Sequence, residues 1–431
     1  MGCEALKPTS LIPPVVALVL VGGWIGTQRR ALATLDRESA LLRTHLAHAR
    51  AAAGSDASPQ AAKTPNGKPA KDKEPIDWKK IAAQMGKMQR NKGVGDMRVM
   101  IHLHQRLQSM TKEELVAALD EIAKLDLTAE ALQKLEQLLV GPLVEKDPEL
   151  ALNRSAARLN DQRDGMSGQL ANALGKWAEN DPGKAAAWFD EQIAAGKFDS
   201  KTLDGKNPVR ILFEGEMIRI LVGSDPDAAD ARLAKLPEDQ WKAIFQGSSA
   251  SKVKEQDQKA FTDMMRGRLS EQAKNSAIAM IASNVTPQGY PEVSAYLDRI
   301  AATPQERATS ANTAAWTHMM QDANQRIITR EDIDKMREWV TTQSPGIADA
   351  TTGAVLAGAA GIRNGKLSFA DAAALALQYQ ASSGNDDVLG GFLNGLLTNG
   401  GTTSSHNAEA RVLVGKLSDP KRRDEILGLF K

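Results

Sequence analysis

Ala173–Phe189 reads ALGKWAENDPGKAAAWF, and the fold class follows from how that stretch is punctuated. Leu174 and Trp177 are three apart, so on a helix they share one face. Asp181 then offers a carboxylate that accepts the unpaired amides of a new first turn. Pro182 follows at the first helical position, where a missing N–H costs nothing. The second helix runs through Trp188, and Ala185 on it is small enough to let a neighbour approach closely. Helix, sharp turn and helix are spelled within 17 residues.

The turn recurs. Asp-Pro also stands at Asp147-Pro148, Asp225-Pro226 and Asp419-Pro420. Aligned on Asp, the first three copies place Val140, Leu174 and Ile218 seven residues earlier. Leu143, Trp177 and Leu221 fall four earlier, and Ala151, Ala185 and Ala229 four later. The copies are 34 and 44 residues apart, a spacing suited to helix pairs with variable loops. In the fourth copy Val412 keeps the apolar position, but Gly415 and Arg423 break the pattern, as expected of a terminal cap or a chance match.

The order Trp177, Ala178, Asp181, Pro182, Ala185, Ala186, Trp188 resembles the W-A-x-x-D-P-x-x-A-A-x-W units of uncharacterised bacterial helical-repeat proteins. It is also loosely similar to tetratricopeptide-type repeats, without their full consensus. The likeness covers roughly residues 138–240. It implies an α-solenoid used for interaction and brings no catalytic residues with it.

Helix starts continue along the chain. Thr111 to Glu114 forms a capping box, with Leu115, Ala118, Leu119 and Ile122 at helical spacing behind it. Thr128 opens a helix with Leu132, Leu135 and Leu139 on one face. Thr303 to Glu306 repeats the box. Thr329 to Asp332 and Ser368 to Asp371 are similar starts, followed by Ile333, Met336 and Trp339 and by Leu375 and Tyr379. No sustained period-two run of β-branched and aromatic residues occurs, so strands are not expected.

The first 76 residues read differently. Leu11 to Gly26 (LIPPVVALVLVGGWIG) is uncharged, with Lys7 before it and Arg29-Arg30 after it. The run is shorter than the roughly 20 residues that usually span a bilayer and also fits a signal-peptide core. Arginines separate it from the small-x-small triplet Ala31-Leu32-Ala33, which favours an uncleaved anchor over residues 1–30. Cys3 precedes the apolar run, where a lipobox needs it afterwards, and Leu6 replaces the hydroxyl expected of a myristoylation signal. Leu32, Leu35, Ser39, Leu42, Leu46 and Ala49 form a heptad seam. Residues 31–49 are thus a short stalk for weak homodimerisation, or a plain amphipathic extension. Residues 50–76, rich in Ala, Pro, Lys, Gly and Ser, bury too little to order themselves and read as a flexible linker. Residues 77–431 make the helical-repeat domain. The expected fold class is therefore all-α: transmembrane helix, coiled-coil stalk, linker and α-solenoid.

Composition excludes several function classes. The net charge of +1 attracts no nucleic acid, and one cysteine in 431 residues makes neither an internal disulfide nor a Cys-based zinc site. His102 and His104 are two apart and point away from each other on a helix. His45 and His48 face together but lack a completing carboxylate; His318 and His406 stand alone. Gly353, Gly358, Gly361 and Gly365-Lys366 fail as a phosphate loop, because Ala360 and Leu367 occupy the required glycine and hydroxyl positions. Close packing through small residues explains them better. Carboxylates sit mainly in first turns or on polar faces. Trp177, Trp188, Trp241, Trp316 and Trp339 would line a groove if exposed, but Trp177 and Trp339 fall on apolar faces.

No catalytic, cofactor or metal residue is assigned. The leading expectation is a scaffold or adaptor in a bacterial inner membrane, binding a protein partner. The alternatives are an envelope enzyme acting on cell-wall polymer and a tethered regulator that sequesters a cytoplasmic factor. Basic residues after the span argue for a cytoplasmic domain, while the short N-terminal tail and the linker favour export.

Overall fold

The computed structural model describes residues 75–90, 97–159, 165–200, 202, 205–361, 367–398 and 403–429. Among them are 20 α-helices, five short 3-10 turns and no strand. The chain divides between Pro75 and Ile76, and Ile76 already packs on the core of the second unit. The apolar run 11–26, the heptad seam 32–49 and the linker residues 50–74 lie outside the described residues. Among the described ones, no helix is long and apolar enough to cross a membrane.

Each of the first three Asp-Pro turns is built alike. Asp147, Asp181 and Asp225 share one backbone conformation, with φ near −150° and ψ of 81 to 84°. The amide of each still bonds back to the preceding helix, to the carbonyl of Leu143, Trp177 or Leu221. Its carboxylate meanwhile accepts the amide of Leu150, Lys184 or Ala228 at 3.0 Å. One residue thus ends one helix and caps the next, so the bend between them needs no loop. All nine aligned apolar positions, from Val140 to Ala229, are buried.

The fourth copy corrects the sequence reading of Val412. That residue is 68% exposed, and the Asp419 carboxylate takes the Lys421 amide, two residues on, where the other three copies take the amide three on. Val412 lies on helix Thr403–Val414, which is followed by Pro420–Leu429.

Longer helices pack against the next long helix but one in sequence. Met166–Asn180 lies on Pro208–Ser224, Glu271–Val285 on Pro304–Gln325, and Ala348–Gly361 on Asp387–Thr398. One helix lies between the members of each pair in sequence and packs alongside. Between Ala348–Gly361 and Asp387–Thr398 the approach is closest. A Cβ on Gly353 would strike the Val388 carbonyl and Phe392 amide, and one on Gly391 would strike Ala350. The glycines of this segment therefore serve helix packing, while Gly365-Lys366 falls outside the described residues.

Many side-chain hydrogen bonds between separate helices join residues 30 to 49 positions apart, from Gln246–Ser276 to Gln343–Ser294, and others are closer, as Arg232–Glu214 at 18. Lys252 to Asn172 reaches further, over 80 positions. The tertiary polar contacts thus stay close to nearest-neighbour range along the chain.

The Thr329 box shows how a cap is reinforced. Asp332 receives the Thr329 amide at 2.8 Å and two bonds from the Arg326 guanidinium at 2.6 and 2.8 Å. Those Arg326 bonds, before all other influences, hold its carboxyl well below the usual carboxylate range. A depressed folded-state value contributes stability above the unfolded value of about 3.9, and loses it as pH falls through the folded value. Asp332→Asn should therefore cost about 1 kcal/mol near neutral pH. Its deficit relative to the parent should shrink below about pH 4. Thermal melts of both proteins at neutral and acid pH check this, and an undiminished deficit in acid would contradict it.

Candidate functional site

A groove of about 670 Å³ runs between helices Glu271–Val285 and Pro304–Gln325. The first helix contributes Gln272, Asn275, Ser276, Ala279, Met280 and Ser283, residues spaced by three and four and hence on one face. The second contributes Gln305, Thr309 and Thr313, spaced by four. Its size falls within the roughly 300–1,000 Å³ of ordinary ligand sites.

The lining mixes polar side chains with a larger apolar surface and carries one charge, Glu271, which pairs with Lys274 at 2.7 Å. Three hydroxyls turn their protons back into their own helices. Ser283 donates to the Met280 carbonyl at 2.8 Å, Thr309 to Gln305 and Thr313 to Thr309, both at 2.9 Å. A hydroxyl whose proton is spent this way offers only lone pairs to a visitor. Asn275, 8% exposed, donates through Nδ2 to Glu271 at 3.3 Å, which fixes its amide orientation. Its Oδ1 is buried without a partner. Gln272, Ser276 and Gln305 add donors to the lining, so the groove offers both kinds of hydrogen-bonding group.

A second feature is an ionic cluster within helix Pro208–Ser224, which is buried on nearly every side. Glu214 accepts from Arg232 at 2.5 Å and from Arg210 at 3.5 Å. Arg232 continues to Asp190 at 2.7 Å and lies over the Phe189 ring. Burial pushes the Glu214 carboxyl up, against the pull of both arginines. On the other side, Glu216 receives Arg219 at 2.9 Å and Lys252 at 2.8 Å, and Arg219 reaches Glu179. Gly175 makes room: a Cβ there would stand 2.6 Å from Glu216 Oε2. Glu214 and Glu216 are exceptions among carboxylates expected mainly in first turns or on polar faces. Helix 208–224 is apolar enough to be buried all round, so its charges had to find partners inside.

A smaller pocket of about 430 Å³, between helices Pro182–Ala194 and Pro226–Ala234, is bordered by Asp190, Arg232 and Lys235. Asp190 and Arg232 are already committed to each other there.

The tryptophans are structural. Trp177 and Trp188 meet edge to face at 6.1 Å, and Trp188 donates to Asn153. Trp241 donates to the carbonyls of Leu233 and Leu236, and Trp339 to Ser294. Half-buried Trp316 sits against Gly358. His102 and His104 are exposed, His318 packs edge-on against Tyr290, and His406 stacks on Phe369 at 4.4 Å. Among the described residues, no three His, Cys, Asp or Glu side chains are grouped to hold a metal ion. His45, His48 and Cys3 lie outside them.

Comparison with family models, with curated proteins and with solved structures finds no match for this chain.

Proposed function

We propose that this chain is a membrane-tethered helical-repeat scaffold or adaptor that holds a protein partner on the face carrying the 271–313 groove. Residues 1–30 act as a single-pass anchor in a bacterial inner membrane, 31–49 as a weakly dimerising stalk and 50–76 as a tether. The repeat domain works on the extracytoplasmic side.

The groove between Glu271–Val285 and Pro304–Gln325 is the observation that carries this reading. Helix pairs linked by near-neighbour contacts form extended arrays, and such arrays bind through the grooves between successive long helices. A lining rich in amides and hydroxyls suits a polypeptide, whose backbone repeats the same hydrogen-bonding groups.

The test is site-specific photo-cross-linking of the full-length chain in its native membrane. Probes at Thr309 and Thr313 should capture a discrete polypeptide in the membrane fraction, and a probe at exposed Glu331 on a neighbouring helix should not. Adducts independent of probe position, or full-length chain recovered in the soluble fraction, would count against the reading.

A further inference from the structure

We propose that helices Trp78–Arg90 and Met97–Ser109 form a basic face that rests on an anionic lipid surface, docking the start of the repeat domain on the membrane. This goes beyond the scaffold reading and rests on its membrane tether.

The argument is one of charge. Among the 20 described helices, these two alone contain no Asp or Glu. Residues 78–110 hold seven Lys and Arg against one acid, Asp96, in a chain whose totals are 54 and 53. Helix Trp78–Arg90 separates its charges from its apolar side. Trp78, Ile81 and Met85, spaced by three and four, pack on the core. Lys80, Ala83, Lys87 and Arg90 keep the same spacing along the opposite stripe, and Lys79, Lys80 and Ala83 are exposed. Asp77 spends its carboxylate on the Lys80 amide at 2.9 Å, as a helix cap. Among the described residues neither Lys79 nor Lys80 is in an ion pair. Lys112, by contrast, is held by Asp147 at 2.9 Å.

Uncompensated charges attract an anion-bearing partner, and a broad surface suits charges spread over two helices that pack on the same neighbour, Ala129–Lys146. The apolar stripe is already used in the core, so the contact is with headgroups rather than acyl chains. With the uncharged run 11–26 as anchor, about 50 residues separate the bilayer from Trp78, a coil that reaches ~40 Å. A lipid surface is therefore always within range of these helices, whereas an acidic protein must be recruited from dilution.

The experiment uses the full-length chain with Cys3→Ser and one fluorophore, attached through Ala83→Cys or, as control, Glu331→Cys. It is reconstituted in vesicles of phosphatidylcholine alone, or with about a third of it replaced by phosphatidylglycerol, each carrying a trace of headgroup nitroxide. The dye at position 83 should be quenched at least about twofold more in the anionic vesicles, and the dye at 331 equally in both. Salt at about 1 M, which screens charges beyond ~3 Å, should abolish the difference. Lys79→Gln with Lys80→Gln should at least halve it, and because both side chains are exposed the melting temperature should stay unchanged.

Equal quenching at position 83 in both vesicles, a salt-resistant difference, or no effect of the double variant would overturn the proposal. So would a larger dye response to added polyglutamate than to anionic lipid, which would assign the face to an acidic protein. Full-length chain that fails to enter vesicles would remove the tether. The dye response to anionic vesicles added from outside then decides the lipid-binding face by itself.

Discussion

Trp177→Ala should lower the stability of its helix pair by roughly 3–5 kcal/mol, the usual cost of truncating a buried aromatic. The indole is 8% exposed and packs edge to face on Trp188. Trp188 in turn bonds Asn153 on the preceding Asp-Pro helix. Removing the Trp177 ring opens a cavity between helices that cannot collapse without moving this neighbour. Asp181→Ala should cost about 1 kcal/mol, because it removes one cap whose helix remains packed. Urea melts of both variants fix the order. If Trp177→Ala left the melt unchanged but abolished partner cross-linking, the indole would be a recognition residue and its core assignment wrong.

Arg232→Met should be comparably severe, about 3–5 kcal/mol, because it strands a buried carboxylate. Glu214 and Arg232 have side chains only 3% and 7% exposed, so water cannot replace the lost partner. The sign of its pH dependence follows from Glu214. Its carboxyl is already raised by burial, and loss of Arg232 raises it further. A carboxyl raised in the folded state favours folding below its unfolded value of about 4.3 and loses that contribution as pH rises through the folded value. The deficit of Arg232→Met should therefore be largest near neutrality and shrink in acid. Glu214→Leu combined with Arg232→Met should recover most of the loss, since buried pairs are often replaceable by apolar residues. A double variant as unstable as the single one would show that Arg232 acts mainly through Asp190 and Phe189.

These two cases mark what was legible beforehand. The Asp-Pro turns could be read because cap, proline and flanking apolar positions all lie within 12 residues, from seven before Asp to four after it. The Glu214 cluster could not be read as a site, because Arg232 is 18 positions away and Glu179 lies 40 from Arg219. A signal existed nonetheless: Glu-Gly-Glu in the middle of an otherwise apolar helix can be buried only if paired. The groove was the least legible feature. Asn275, Thr309 and Thr313 look like ordinary polar-face residues, and only helix pairing brings them together along one groove. Val412 misled for the opposite reason: it satisfied a spacing at a position that stays exposed.

If the described helices from Trp78 onward act as a nearest-neighbour array of helix pairs, a local defect stays local. Native-state hydrogen exchange of Arg232→Met against the parent tests it most directly. In a quasi-one-dimensional array a local defect weakens its own repeat and the adjoining ones. Protection should therefore fall across helices Met166–Asn180 to Gln258–Arg268, while Ala348–Gly361 and Asp387–Thr398 keep their parental rates. Equal loss of protection in all helices would mean a single cooperative core and would contradict the array.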